Sequence, residues 1–430
     1  MKGPDRCKQP AIHSLTRLTL PQPQRIVLPN GARFALLDNT VQEDVFRLDI
    51  LVNGGQWRQT MPLQSIFTNK MLGEGTRTLT SEQISESLDR YGAWLEYGAG
   101  VTTNNIYLYS LNKYAQETLE VLEKILKEPV FPIHEFEVMV ENARQQFLVN
   151  SKRVESISRA AFSKRLLGEN HPCARFACTE DYDRISTSNL RDFYTRYYHS
   201  QNSSIYLSGN PDRKLCDLVM KIFGEKKWGQ DSTIVPLAPV MPVSSTQKRE
   251  FIEVPNAMQS SIRMGCLTLR QNHPDFTKLG VMLTLLGGYF GSRLMRNIRE
   301  DKGYTYGIGC GVMPYPFESI LLINTQCDAS YVEPVIQEVY REIDLLRKET
   351  VDPDELDMVK SYMLGELTRR YESLSLADAF TYAEVSGFPD DFMQKKVDEI
   401  RAVTLEDVQE MAQRYLCPDA LIEVVAGKKV

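Results

Sequence analysis

Histidine, cysteine and carboxylate side chains are the usual catalytic and metal-binding groups, and histidine is scarce in this chain. Its 430 residues include five histidines, at positions 13, 134, 171, 199 and 273, and eight cysteines. His171, Cys173 and Cys178 lie close together and offer three metal ligands. Their spacing matches no zinc module, so a loop with two free thiols is the favoured interpretation. The scattered remaining cysteines are expected to be small buried hydrophobes rather than a disulfide framework.

Two other kinds of chemistry are not supported by the motifs. The glycines at positions 287, 288 and 291 resemble a phosphate-binding loop, but no Lys-Ser or Lys-Thr pair follows them. The dinucleotide fingerprint is also missing, and so is the Gly-x-Ser-x-Gly elbow of serine hydrolases. Nucleotide binding and serine hydrolysis are therefore not predicted.

Strand-like and helix-like segments alternate along the chain. Thr80 and Gln83 form a capping box that predicts a helix start, and Gly92 is expected to end that helix. A second helix is predicted up to Pro129 and a third after Pro132. Strands are predicted at Arg33–Leu37 and Val45–Val52, with a strand pair in Ala99–Leu111.

The second half of the chain repeats the first. The pattern of residues 185–209, a capped helix followed by a strand that ends in glycine, recurs in residues 403–427. Pro132–Glu137 likewise resembles Pro353–Asp357 at nearly the same offset. A constant order and spacing of weak matches is the signature of a tandem duplication.

The duplication predicts two domains of similar size. Residues 229–250 contain three prolines and a Ser-Ser-Thr run, which predicts an extended, semi-rigid linker. We therefore expect an N-terminal extension over 1–23, an N-terminal domain over 24–228, and a C-terminal domain over 251–430. The predicted fold class is α+β, with two tandem homologous domains that are each a mixed β-sheet with helices packed on one face.

Glycine-containing motifs in both halves resemble those of the pitrilysin/insulinase family of zinc peptidases. That family includes the mitochondrial processing peptidases and two-domain bacterial peptidases, and the resemblance runs from about residue 24 to 428. It implies that the two sheets face a shared cavity and form half of a clamshell. The motifs in the first half are Leu28–Gly31, Gly54-Gly55, Gly75-Thr76 and Gly92-Ala93, and those in the second half are Leu286–Gly288, Gly291–Leu294 and Ile298–Tyr306.

Active members of that family bind zinc through an inverted His-x-x-Glu-His motif and a Glu further along the chain. Counting back from Gly75-Thr76, the motif positions are Ile66, Asn69 and Lys70, and the third ligand falls near Gln145 and Gln146. Ile66 has no donor atom, Asn69 is not a base, and a protonated Lys70 repels a dication.

A shift of the alignment does not restore the zinc site. Residues 50–73 contain no His, Asp, Glu or Cys at all. The resemblance therefore implies a degenerate zinc site at Ile66, Asn69, Lys70 and Gln146. It implies no metal, no cofactor and no catalytic residue in the isolated chain, with zinc expected on a partner subunit.

Family members also place an Arg and a Tyr, seven residues apart, opposite the zinc. Arg299 and Tyr306 occupy these positions. A guanidinium and a phenol can donate to a peptide carbonyl and stabilise the oxyanion that forms when it becomes tetrahedral. The alternative is that Arg299 is a solvated cation at a helix end and Tyr306 a half-buried strand residue.

The resemblance implies a non-catalytic subunit of a two-chain metallopeptidase. Such a subunit would form a heterodimer with a homologous zinc-bearing subunit, help bind a peptide or unfolded protein, and supply Arg299 and Tyr306 in trans. The alternative is a peptide-binding or scaffold protein with no role in hydrolysis. A third alternative is an enzyme that carries out a different reaction in the cavity where active members of the family bind zinc.

Composition excludes several other classes of function. The 42% hydrophobic and 25% charged residues are typical of globular domains, and a net charge of −6 provides no electrostatic footprint for nucleic acid or an anionic membrane. No apolar run approaches the roughly 18 residues of a membrane span. The first 25 residues lack the apolar core of a secretory signal, so the expected compartment is the cytoplasm, with periplasmic and organellar locations left open.

Overall fold

The protein is described by a computed structural model that covers most of the chain. The predicted N-terminal extension lies outside the described residues except for its last two positions, and residues 231–235 of the predicted linker also lie outside them. The described residues are 22–38, 43–230, 236–371, 374 and 376–429.

The first half alternates strands and helices as its sequence pattern predicts. The capping box of Thr80 and Gln83 starts a helix at Ser81. The strand pair predicted in Ala99–Leu111 begins earlier than expected, because its first strand is Trp94–Ala99. The strands are β1 (Gln24–Val27), β2 (Arg33–Asp38), β3 (Val45–Val52), β4 (Trp94–Ala99), β5 (Asn104–Leu111) and β6 (Ser203–Gly209). The helices are α1 (Gln64–Met71), α2 (Ser81–Asp89), α3 (Ala115–Lys127), α4 (Ile133–Asn150), α5 (Val154–Leu167), α6 (Thr179–Arg184), α7 (Thr187–Tyr197) and α8 (Arg213–Gly224).

The second half follows the same pattern with two π-helical segments, Thr284–Gly288 and Met295–Asp301. Its last helix starts at a capping box of Thr404 and Asp407, as the matching helix of the first half starts at Ser186. The strands are β7 (Arg249–Glu253), β8 (Ser260–Thr268), β9 (Thr305–Pro314), β10 (Ser319–Cys327) and β11 (Ile422–Gly427). The helices are α9 (Phe276–Leu283), α10 (Val332–Lys348), α11 (Pro353–Tyr371), α12 (Leu376–Ser386), α13 (Phe392–Ala402) and α14 (Leu405–Tyr415).

The two halves build sheets with the same strand order. The first sheet is ordered β1-β2-β6-β3-β5-β4 and the second β7-β11-β8-β10-β9. If β1 is set aside as an added edge strand, the two orders match strand for strand. The directions also match, since β2–β6 and β7–β11 are the parallel pairs and the other neighbours are antiparallel. The predicted fold class, two homologous α+β domains with mixed sheets, is confirmed.

Each sheet has its own helices on one face and a helix of the other half on the opposite face. In β3, Phe46 and Leu48 pack into the core of the first half, while Arg47 on the opposite face reaches Asp378 of α12. In β8, Arg263 and Ser261 face Ser158 of α5 in the same way. α5 follows α4, and α12 follows the equivalent helix α11. Each half therefore packs its equivalent helix against the sheet of the other half, and this packing joins the halves into one unit.

A buried ion-pair network anchors α12 to the first sheet. The Arg47 guanidinium makes two hydrogen bonds to the Asp49 carboxylate, at 2.6 and 2.8 Å, and two to the Asp378 carboxylate. Arg47 is 4% and Asp49 0% exposed. Burial raises the pKa of Asp49 to about 7, against the lowering effect of Arg47. The network therefore depends on the guanidinium to keep a buried carboxylate paired.

Arg47→Met is expected to lower the free energy of unfolding by about 3–5 kcal/mol, because it leaves Asp49 buried without its partner. A carboxyl with a raised folded pKa stabilises the fold at low pH and loses that contribution as the pH rises through the folded value. The deficit should therefore be larger at about pH 8 than at about pH 5. Urea unfolding at both pH values measures this loss of unfolding free energy. The control is Arg213→Met, since the Arg213 side chain is exposed. An equal midpoint for Arg47→Met and wild type would contradict the assignment.

No helix in the described part of the chain combines the length and the apolar character that a membrane span requires.

Candidate functional site

Three of the four degenerate zinc-site positions line one large cavity. Ile66 and Lys70 lie one turn apart on α1, so their side chains point the same way. Gln146 of α4 lies across from them. All three side chains line a cavity of about 1430 Å³ between α1, α4 and α5. The structure thus brings together positions that are about 80 residues apart in sequence.

Asn69, the fourth position, has a structural role. Its side chain is 1% exposed, and its amide nitrogen donates to the backbone carbonyls of Gly98 at 2.8 Å and Asn105 at 2.9 Å. Its amide oxygen accepts a hydrogen bond from the Tyr198 hydroxyl at 2.9 Å. Asn69 therefore fastens α1 to the β4–β5 hairpin and to the segment after α7. A base is absent from the position where active peptidases hold one.

The cavity offers no metal site at these positions. The side chain of Ile66 is apolar, and Lys70 and Gln146 are exposed to the cavity. In the part of the chain that the structure describes, His, Cys, Asp and Glu ligand atoms do not converge on this cavity in a group of three. The residues present therefore do not fit a catalytic zinc ion, since zinc needs three protein ligands and an open position.

The cavity has a mixed apolar and charged lining. Its walls combine apolar surface with charges of both signs, an arrangement typical of sites that hold an extended ligand by its apolar groups and orient it by a few polar contacts. The apolar side chains include Leu63, Phe67, Val138 and Phe147, the cations Lys70, Arg159 and Lys164, and the carboxylates Glu74, Glu82 and Glu135.

Arg299 lies in the π-helical segment Met295–Asp301 of the second half. Its guanidinium carbon stacks 4.3 Å from the ring centroid of Phe290, a residue that is 64% exposed. Glu300 is a loose ionic neighbour at 3.8 Å. The cation is therefore held over an aromatic face, and about a third of its side chain stays accessible.

Tyr306 is the second residue of β9, which is the outer strand of the second sheet. It is 90% exposed, so its hydroxyl is free to meet a ligand or another chain. Neither Tyr306 nor Arg299 lines the cavity at Ile66, Lys70 and Gln146. Within one chain, the predicted donor pair and the degenerate zinc positions are thus separate, and the role of the pair stays a prediction.

The loop after α5 holds His171, Cys173 and Cys178, and both of its thiols are free, as the favoured interpretation predicts. The three side chains do not form one cluster. Cys178 is exposed, and its thiol donates to the Asp181 carboxylate at 3.2 Å. In its place, Glu318 from the β9–β10 hairpin lies beside His171 and Cys173. Burial raises the pKa of the Cys173 thiol to about 12. Sequence reasoning missed Glu318 because it comes from the other half of the chain.

Comparisons with known proteins agree with this geometry. Residues 184–363 match the family model described as Peptidase M16 inactive domain. An uncharacterized zinc protease, YmxG of Bacillus subtilis, is 22% identical over 94% of this chain and 98% of its own. The non-peptidase homolog YmxG of Helicobacter pylori is 21% identical over 86% of each chain. A crystal structure of a peptidase M16 inactive domain from Pseudomonas fluorescens superposes with a TM-score of 0.83, at 23% identity and over 95% of this chain and 98% of that one.

The fold and the site therefore define a two-domain, peptidase-like protein. The chain is similar to the M16 inactive domain over residues 184–363 and to zinc-protease-like and non-peptidase relatives over most of its length, and its sequence contains no His-x-x-Glu-His motif.

Proposed function

We propose that this chain is the zinc-less subunit of a two-chain metallopeptidase. In this role it helps to bind the peptide substrate and presents Arg299 and Tyr306 to the zinc of a homologous partner. One observation carries the proposal: a cavity of about 1430 Å³ with a mixed apolar and charged lining lies at the positions that would hold zinc, which bear Ile66, Lys70 and Gln146.

The exposed donor pair supports action in trans. A catalytic subunit polarises the scissile carbonyl with zinc, and a second group that donates to the developing oxyanion lowers the barrier further. Tyr306 and the accessible part of Arg299 lie at the edge of the second sheet, away from this chain's own cavity. Their accessibility suits contact with a substrate held by another chain.

The relatives are consistent with a non-catalytic, peptidase-like protein. The family model that matches residues 184–363 is described as inactive, and one of the curated relatives is named a non-peptidase homolog. Heterodimer formation, peptide binding and a share in proteolysis are the finer parts of the proposal.

A scaffold role without any part in hydrolysis is the second candidate. The observation that favours it is apolar surface on α4, where Ile133 is 65% and Val149 58% exposed. Such side chains suit a protein partner whether or not chemistry follows. The two candidate functions differ in what they require of Arg299 and Tyr306, because a scaffold role needs neither side chain.

The isolated chain is expected to cleave no peptide, with or without added zinc. The reason is that Ile66, Asn69, Lys70 and Gln146 supply neither three ligands nor a general base. Incubation of the purified chain with a mixed peptide library, in zinc or in chelator, followed by mass spectrometry of the products, checks this expectation. Zinc-dependent cleavage that a chelator abolishes would overturn the proposal.

A further inference from the structure

His171, Cys173 and Glu318 meet where the two halves of the chain touch. His171 and Cys173 lie in the loop between α5 and α6, and Glu318 lies in the turn of the β9–β10 hairpin. One ligand atom from each residue lies within 4.8 Å of the other two. Nε2 of His171 and Oε1 of Glu318 are 2.9 Å apart.

The imidazole and the carboxylate of this cluster are buried and poorly satisfied. His171 is 1% and Glu318 7% exposed. Nε2 of His171 and Oε1 of Glu318 face each other without a well-aligned hydrogen bond among the described residues, and the backbone of Val240 is the other polar neighbour of the imidazole. A buried polar atom without a partner costs free energy, so native structures rarely leave two of them side by side. A cation between them would satisfy both atoms.

The three residues have the chemistry of zinc ligands. Zinc binds thiolate sulfur at about 2.3 Å, imidazole nitrogen at about 2.0–2.1 Å and carboxylate oxygen at about 2.0–2.2 Å, in tetrahedral geometry. Those bond lengths place ligand atoms on the order of 3.3–3.7 Å apart. Nε2 of His171 and the Glu318 oxygen are 2.9 Å apart and all three ligand atoms lie within 4.8 Å of one another, so small side-chain movements would bring the ligands into place.

We propose that His171, Cys173 and Glu318 form a structural zinc site that clasps the loop after α5 to the β9–β10 hairpin. Three protein ligands leave the fourth position to a water molecule. The proposal does not rest on the peptidase function, because the degenerate zinc positions belong to a different cavity.

Zinc binding at this cluster is balanced in protons. The Cys173 thiol gives one proton to solvent and binds as thiolate, and Glu318 binds as carboxylate. In the metal-free chain, Nδ1 of His171 accepts a hydrogen bond from the backbone N–H of Cys173 at 3.2 Å, so the ring proton lies on Nε2. When Nε2 binds zinc, that proton moves to Nδ1 and the Cys173 amide gives up its contact. The ring stays neutral, and one proton is released for each zinc ion bound.

Aromatic side chains wall the cluster. The ring of Trp57 meets the His171 imidazole edge-on, with centroids 5.3 Å apart, and Phe317 packs on Trp57 at 5.4 Å. The Trp57 indole N–H donates to the carbonyl of Ala238 in the segment that joins the halves. An apolar wall of this kind strengthens metal–ligand electrostatics and slows the exchange of the ion.

Cobalt titration of the full wild-type chain tests the site, because Co²⁺ bound to a thiolate gives a charge-transfer band in the near ultraviolet. We expect one equivalent of Co²⁺ to produce the band and one equivalent of Zn²⁺ to remove it. Cys173→Ser should abolish the band, and Glu318→Gln should weaken cobalt binding about tenfold or more. The matched control is Cys178→Ser, which removes a neighbouring exposed thiol and should leave the titration unchanged.

A wild-type chain without the cobalt band would overturn the proposal, and this result does not depend on any variant folding. Retention of the band in Cys173→Ser would overturn it as well. Thermal unfolding supplies a second readout: a chelator should lower the midpoint of wild type but not of Cys173→Ser. Equal midpoints for wild type with zinc and with chelator would show that His171 and Glu318 form only a metal-free polar contact. None of these outcomes bears on peptide cleavage, so the two proposals fail separately.

Discussion

In a reconstituted pair with a zinc-bearing homologue, Arg299→Ala and Tyr306→Phe are each expected to lower kcat by about tenfold or more. The loss follows from the chemistry of the two groups, since one donor to an oxyanion is worth roughly 3–4 kcal/mol when it is well placed. The fold should remain intact, because Tyr306 is 90% exposed and Arg299 contacts few groups of its own chain, and heterodimer formation is expected to remain intact as well. Steady-state kinetics on a cleavable peptide, together with gel filtration of the pair, measures both quantities.

The chain offers matched controls for these substitutions. Arg296→Ala removes an exposed cation from the same π-helical segment, and Tyr331→Phe removes a partly exposed phenol of the second half. Both should leave kcat within about twofold of wild type, since surface changes outside a site have small effects. Full activity of the Arg299→Ala/Tyr306→Phe double variant would remove the catalytic contribution and leave the scaffold role.

Restoring the lost ligands is expected to restore zinc binding without activity. Ile66→His, Lys70→His and Gln146→Glu together place two imidazoles and a carboxylate on positions that line one cavity. The variant should bind one more equivalent of zinc than wild type, by metal analysis after dialysis. It should still cleave no peptide, because Asn69 is not a base and its amide is committed to Gly98 and Asn105.

The outcome of this graft distinguishes two claims. The single variant Ile66→His is the control and should bind no additional zinc, since one imidazole does not make a site. If the triple variant bound no extra zinc, the assignment of these positions as a degenerate zinc site would be wrong. If it cleaved peptides, the absence of a base at Asn69 would not explain why the wild-type chain is expected to cleave none.

Local and repeated features of the fold could be predicted from the sequence. The capping box at Thr80 and the alternating apolar residues of β3 depend only on residues that are close together in the chain. Both patterns can therefore be recognised from the sequence alone. The duplication was visible because matching helices start and end with the same residue types. The absence of ligands in residues 50–73 was equally certain, since a residue type that is missing cannot be supplied by folding.

Contacts between distant segments could not be predicted. The exchange of α5 and α12 between the halves depends on polar residues of β3 and β8 that, in a single strand, look like ordinary solvent-facing positions. Asn69 was identified as a lost base, but its three hydrogen bonds to the β4–β5 hairpin and Tyr198 come from residues far along the chain. Glu318 joins His171 and Cys173 for the same reason, because the meeting of the two halves, and not the spacing, brings it there.

The central claim is that this chain completes a peptidase whose zinc lies on another chain. The most direct measurement is the rate of peptide cleavage by a fixed amount of a zinc-bearing homologue, followed as this chain is added. The account predicts that the rate rises and saturates at one equivalent. It also predicts that the Arg299→Ala/Tyr306→Phe variant saturates at the same ratio with a rate lower by about tenfold or more. A cleavage rate that stays constant while the wild-type chain is added would contradict the account.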